Sequence, residues 1–236
     1  MRNHFIFICI LLVCMTNSLH AVLDVHSSFI TSRDGLTHNT IRYIFQDSKG
    51  FIWISTVNGL NRYDGYSFIN FLPEKGNKIT IPDNHVQTIT EDKNNFLWIA
   101  SAYDRYSCYD LKNDCFVDYS GCGEYNRVYK NRFEASNGDT WLWDPQNGCR
   151  HIKYENGVFS SVLYTKNNGK LPSKQINSLI EDSYGNIWIC TDAGLAKVTN
   201  EYKIEFVDWA LNFFAALNYK DKCFFLTNEG KIYTCE

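Results

Sequence analysis

Residues 41–56 read IRYIFQDSKGFIWIST, an alternating apolar run, a short acidic and polar turn ending in glycine, and a second run that holds a tryptophan. The pattern returns without a gap as VQTITEDKNNFLWIAS at 86–101 and INSLIEDSYGNIWICT at 176–191, and in diverged form as YKNRFEASNGDTWLWD at 129–144. Trp53, Trp98, Trp141 and Trp188 stay in register, 45, 43 and 47 residues apart. A degraded fifth copy, FFLTNEGKIY at 224–233, puts Phe224 or Phe225 at the tryptophan position and Gly230 at the glycine position. Self-similarity at a fixed period decides an architecture before any local reading does.

Each copy predicts the same local structure. An alternating strand such as IRYIF leads to a turn, QDSKG or EDSYG, whose last Gly or Asn can take the positive φ that a tight hairpin needs. The Trp strand follows, then TVNGL or TDAGL, where Gly59 or Gly194 offers positive φ again. A third strand (LNRYDG, LAKVTN) and a fourth (YSFINF, YKIEFV) complete the unit. Four antiparallel strands in a repeat of about 45 residues is the layout of a β-propeller blade. Helical periodicity is nowhere sustained. The sequence is therefore read as all-β, a propeller of about four to five four-stranded antiparallel blades in an incomplete or small ring. Repeats are placed near 35–80, 81–123, 124–170, 171–210 and, partial, 211–236. The joints LTHNTI, IPDNHV and LPSKQI recur twelve residues before their tryptophans, and Pro82 and Pro172 mark where ladder pairing has stopped.

Composition agrees and excludes some functions. The 16% aromatic share, with 15 Tyr and 16 Phe, favours strands. A net charge of -3 and the lack of a basic run give no reason to expect nucleic acid. At the N-terminus Arg2, the apolar run Phe5 to Met15 and a polar stretch ending at Ala21 read as an export signal over 1–21, which leaves the blades in 22–236. That predicts a periplasmic location, and no later segment is apolar enough to cross a membrane. Seven cysteines remain after the signal, at 108, 115, 122, 149, 190, 223 and 235; the odd count leaves at least one thiol unpaired. Close ligand pairs are missing, so no metal is expected. Cys190 reads as a small buried apolar residue, and a disulfide within the 108 to 122 group stays open.

The set Asp-x-x-Gly-x-[IL]-Trp-[IL]-x-[ST]-x-x-Gly-Leu, followed by Arg62-Tyr63-Asp64-Gly65, resembles the two-component regulator propeller repeat. The first and fourth copies match strongly, the second and third in part: copy two has Asp104-Arg105 where Gly-Leu is expected, and copy three gains a residue before Gly148. The resemblance implies the periplasmic sensor region of a hybrid two-component system of Bacteroidota, which detects oligosaccharides released from a polysaccharide. It implies no catalysis, no cofactor, an oligosaccharide ligand, and a homodimer through the full-length sensor. It also implies that this chain is an N-terminal fragment, with the membrane reached only through a missing downstream region and the kinase absent. Residues 24–32, DVHSSFITS, are then a candidate outer strand for the incomplete last blade.

Recurring residues read as scaffold. Asp47, Asp92 and Asp182, like Glu91 and Glu181, return at the same turn of successive copies, which suits capping or bonding to neighbouring backbone better than paired acid-base chemistry. The tryptophans read as packing between blades, and Gly59 and Gly194 as turn residues. Function is expected where the repeat breaks its own rule. One such place is SAYDRYSCY at 101–109, with Tyr103, Asp104, Arg105 and Tyr106; another is WDPQNGCRH at 143–151, with Trp143 and Arg150. Aromatic faces with nearby Arg and Asp suit sugar rings and carboxylates. The alternatives are a propeller enzyme, a polysaccharide lyase or glycoside hydrolase, needing non-repeating carboxylates or His at one end of the channel, and an interaction scaffold, needing an exposed apolar patch.

Overall fold

Nineteen strands are described, and they fall into five antiparallel sheets, each built from consecutive strands. The computed structural model describes residues 29–75, 77, 79–103, 105–119, 129–145, 148–207 and 210–235. The expected export signal lies outside them, as do Asp104, Cys122 and most of the expected edge-strand segment 24–32.

The first blade holds β1 (Ile41–Gln46), β2 (Ile52–Thr56), β3 (Gly59–Tyr63) and β4 (Phe68–Phe71). The second holds β5 (Val86–Glu91), β6 (Phe96–Ser101), β7 (Tyr106–Asp110) and β8 (Cys115–Val117). In the third are β9 (Asn131–Glu134), β10 (Thr140–Asp144), β11 (Gly148–Glu155) and β12 (Val158–Tyr164), and in the fourth β13 (Ile176–Glu181), β14 (Ile187–Thr191), β15 (Gly194–Val198) and β16 (Ile204–Val207). The fifth has three strands, β17 (Phe213–Tyr219), β18 (Lys222–Thr227) and β19 (Ile232–Cys235). Among the described residues no strand pairing links the first sheet to the fifth, so the sheets are not closed into a ring. A β-bulge opens the first strand at Ile41/Tyr43, Val86/Thr88, Ile176/Ser178 and Phe213/Ala215, so the repeat extends to a local irregularity. Among the described residues no helix is long and apolar enough to cross a membrane.

The turn between the first two strands shows why an aspartate recurs. Asp47 Oδ1 accepts from the amides of Lys49 and Phe51 at 3.0 and 2.9 Å, and its Oδ2 accepts from Trp53 Nε1 at 2.7 Å. Asp92 repeats this with Asn94, Phe96 and Trp98, and Asp182 with Tyr184, Asn186 and Trp188. Gly50, Asn95 and Gly185 close these turns at φ of 90°, 63° and 79°. One carboxylate thus fixes the hairpin and satisfies the indole N–H that packing buries.

The tryptophans occupy the interfaces between sheets. Trp53 packs with Ile89, Leu97, Ile99 and Tyr109 of the second blade, and Trp98 with Leu142 and Ile152 of the third. Trp141 meets Leu179, Ile187 and Ile189 of the fourth, and Trp188 meets Phe225 of the fifth. Polar ties repeat as well. A glutamate ending the first strand of one blade accepts from a turn amide of the blade before it: Ser48 N to Glu91 at 2.8 Å, Lys93 N to Glu134 at 3.0 Å, Ser136 N to Glu181 at 2.7 Å. Arg62 reaches from the first blade to Asp114 and Tyr109 of the second, and its hydrogen bond to Asp114 holds that carboxyl below the usual range.

Of the cysteines, Cys108 and Cys190 are buried and Cys115 is exposed; all three are free thiols, so no 108–115 disulfide forms. Burial pushes the Cys190 thiol up to about 12, as suits a small buried apolar residue.

Candidate functional site

Strand alternation along each blade sends its second-to-third hairpin and its exit to the next blade to one end, and the aspartate turns to the other. Both regions singled out from the sequence are hairpins at the first of these ends, in neighbouring blades. In the first and fourth blades that hairpin is two residues closed by Gly59 and Gly194, at φ of 101° and 124°. The second blade has no such glycine, and its chain widens. Ser101 N donates to Arg105 O at 2.8 Å, and Ser101 Oγ accepts from the amides of Tyr103 and Arg105 at 3.3 Å each.

The widened hairpin pushes Tyr103 into solvent, 60% exposed, with its ring edge-on to His85 at 6.1 Å. Ala102 N bonds His85 O at 2.8 Å, which pins the hairpin to the linker Pro82–His85. That linker carries two buried oxygens without a hydrogen-bond partner among the described residues, Asp83 Oδ2 and Asn84 Oδ1. Asp83 Oδ1 is occupied by His85 N at 2.7 Å, and Asn84 O accepts from Gly59 N of the first blade at 3.1 Å. The result is an exposed aromatic face and an exposed Arg105 on a hairpin tied to that linker. Sequence reasoning missed the linker because it looks like the ordinary joint; the signal available was His85, where the other joints carry Thr40 and Gln175.

The remaining selected residues divide. Tyr106 is half-buried and packs with Trp98 and Cys108, its carbonyl accepting from Tyr119 Oη at 3.0 Å, so it serves the scaffold. Trp143 and Arg150 do not form one site. In the β10–β11 ladder Trp143 stands opposite Cys149 and Arg150 opposite Leu142, which places them on opposite faces of the sheet. Arg150 is buried and donates to Tyr129 Oη and Ser161 Oγ at 3.1 and 2.7 Å. Trp143 packs into the core between the third and fourth blades.

The diverged third copy holds a further polar cluster. Ala135 replaces the turn aspartate, and Asp139, at the other side of the turn, takes His151 Nε2 at 2.7 Å and Tyr202 Oη at 2.9 Å. His151 lies stacked between Trp141 (4.4 Å) and Tyr202 (5.0 Å). Burial alone pushes the Asp139 carboxyl up; the bonds from His151, Tyr202 and Asn137 outweigh it and hold the group below its ordinary value. An Asp-His pair invites a catalytic reading, but His151 is 1% exposed between two rings, with no face left for a substrate. It is a clamp joining the third and fourth blades. Among the described residues no group of three His, Cys, Asp or Glu is placed to hold a metal ion.

The model of the two component regulator propeller repeat matches residues 35–58, 80–103 and 170–193, each spanning a first strand, an aspartate turn and a Trp strand. No curated protein matches. Among solved structures, the extracellular domain of BT4673 from B. thetaiotaomicron, assigned to a hybrid two component system, is 17% identical with a TM-score of 0.50. The alignment covers 85% of this chain and 30% of that one, and shows a shared fold. That of BT3049 from the same organism is 20% identical, TM-score 0.46, covering 88% and 35%. Virginiamycin B lyase from Staphylococcus aureus is 17% identical, TM-score 0.48, covering 84% and 70%. The chain spans about a third of the length of the two B. thetaiotaomicron domains. Three stretches of the chain are thus similar to the two component regulator propeller repeat.

Proposed function

We propose that this chain is a non-catalytic, extracytoplasmic sensor propeller that binds a glycan-derived ligand at the second-blade hairpin. Tyr103 and Arg105 are the contact residues, and the Asp83–His85 linker is the floor. One observation carries the reading. Where the first and fourth blades close a two-residue glycine turn, this one presents an exposed ring on a hairpin pinned to a linker that holds two buried acceptor oxygens without a hydrogen-bond partner among the described residues. A pyranose offers an apolar face for Tyr103 to stack on, while Arg105 suits a uronate carboxylate. The repeat family and the extracellular neighbour BT4673 support an extracytoplasmic place in signalling.

Calorimetric titration with a panel of neutral and uronate-containing oligosaccharides, with released reducing ends followed in the same samples, tests this. Saturable binding without turnover, weakened tenfold or more by Tyr103→Ala, is the expected result. Turnover of any member would favour the lyase or hydrolase reading, and a panel without a binder would remove the glycan assignment.

A further inference from the structure

Strand register decides which thiols can meet. Directly opposite residues of an antiparallel pair point to the same face, with Cα atoms about 4.5–5.5 Å apart, inside the range of about 4.4–6.8 Å that a disulfide spans. Most of the described cysteines face another residue type. Cys108 stands opposite Trp98 and Val117, Cys115 opposite Asp110, Cys149 opposite Trp143 and Tyr164, and Cys190 opposite Ser178 and Leu195. In the fifth blade, Cys223 of β18 stands opposite Cys235 of β19. Among the described residues this is the one place where a thiol faces a thiol across a ladder.

Packing keeps the two on one face. Cys223 is buried and Cys235 half-buried, and with Phe225 and Tyr233 they lie in the core shared with Trp188, Cys190 and Leu195 of the fourth blade. Their closeness shows in Cys223, whose thiol is pushed up to about 11 by burial first, then by Asp182 and by Cys235. Cys190 belongs to the facing sheet, and sheets packed face to face lie about 10 Å apart, beyond the backbone separation of about 7 Å that a disulfide tolerates. Cys223 and Cys235 are free thiols here, so the structure describes the reduced form.

We propose that Cys223 and Cys235 form an oxidation site, joined by a disulfide that staples β18 to β19 and closes a loop of 13 residues. The oxidant is a small-molecule or protein disulfide. The Cys223 Sγ–Cys235 Sγ bond forms, the S–S bond of the oxidant breaks, and the two protons and two electrons leave with the pair of thiols it becomes. The ladder already holds the two residues in place, so the backbone need not move. An extracytoplasmic location, as proposed above, supplies such oxidants. Oxidising the purified chain tests the pair without reference to location, so the two proposals can fail separately.

The full chain is incubated with glutathione disulfide, its remaining thiols are alkylated, and it is digested without reduction for mass spectrometry. Trypsin cuts after Lys222 and Lys231, which puts the two cysteines on separate peptides. The expected product is the peptide 223–231 linked to the one that begins at Ile232, from a band that runs as a single chain on a non-reducing gel. Closing the loop restrains the unfolded chain, so the oxidised form melts about 5 °C or more above the reduced form, and dithiothreitol removes the gain. Cys235→Ser loses both the linked peptide and the reducible gain; Cys235→Ala repeats that arm should the serine variant lose its β circular dichroism. Full alkylation of both thiols after oxidation would overturn the inference. So would a link from Cys190 to either of them, a link between two chains, or a linked pair that melts no higher than the reduced form.

Discussion

Replacing Asp92 by alanine removes three hydrogen bonds with one side chain. Its carboxylate accepts from the amides of Asn94 and Phe96, both at 2.9 Å, and from Trp98 Nε1 at 2.7 Å. Phe96 and Trp98 are buried, so two donors are left without a partner, while Asn94 can turn to water. Each orphaned buried donor costs about 1–3 kcal/mol. Removing the carboxylate returns part of this, because its own burial is unfavourable: desolvation pushes the Asp92 carboxyl above its ordinary value despite the bonds it accepts. A net loss of about 3 kcal/mol is expected, a large share of a total stability of about 5–15 kcal/mol. Urea unfolding followed by circular dichroism measures the loss, and hydrogen exchange at 94–98 reports whether the hairpin opens locally. Adding Trp98→Phe closes a double-mutant cycle with an expected coupling of about 1–2 kcal/mol for the indole bond. A loss under about 1 kcal/mol, or additive single effects, would refute the claim that the recurring aspartate holds the hairpin and the indole together.

Other outcomes follow from the same geometry. At Asp182, burial raises the carboxyl and the bonds from Asn186, Trp188 and Tyr184 outweigh it, leaving the group below its ordinary value. A lowered folded value gives stability that is present above the unfolded value of about 3.9 and lost as pH falls through the folded one. The melting-temperature gap between wild type and Asp182→Asn should therefore be full at pH 6 and shrink toward pH 3. Gly59→Ala should destabilise by about 2–4 kcal/mol, because φ of 101° disfavours a side chain and the new Cβ would lie 2.7 Å from Phe71 O. Gly50→Ala, at φ of 90° with open space around it, should cost only about 1–2 kcal/mol in the same denaturation assay.

The blade architecture was legible because its signals are local and repeated: tryptophan spacing, the Asp turn and the Gly hairpin are fixed by sequence offset. The third copy resisted because its compensation is distant. Ala135 removes the turn carboxylate, and the partners of its substitute Asp139 stand 12 and 63 residues away at His151 and Tyr202. The fifth copy left Phe224 and Phe225 undecided, since the two-residue turn at Lys220–Asp221 replaces the longer one and shifts the offset; the bulge settles the register. Trp143 and Arg150 looked like one site because both sit where the repeat breaks. Strand alternation separates them, and the pairing that shows this depends on a hairpin of irregular length. At the second-blade hairpin Tyr103 was visible as an anomaly, but the orphaned oxygens of Asp83 and Asn84 arise from packing, which no residue pattern displays.

The central claim is that recognition resides where the repeat fails and that the faithful copies are scaffold. Titrating wild type, Tyr103→Ala and Asn58→Ala with the tightest-binding oligosaccharide tests it directly, since Asn58 occupies the hairpin of the regular first blade. Affinity reduced tenfold or more by Tyr103→Ala and unchanged by Asn58→Ala is the predicted result; equal effects, or a loss confined to Asn58→Ala, would contradict it.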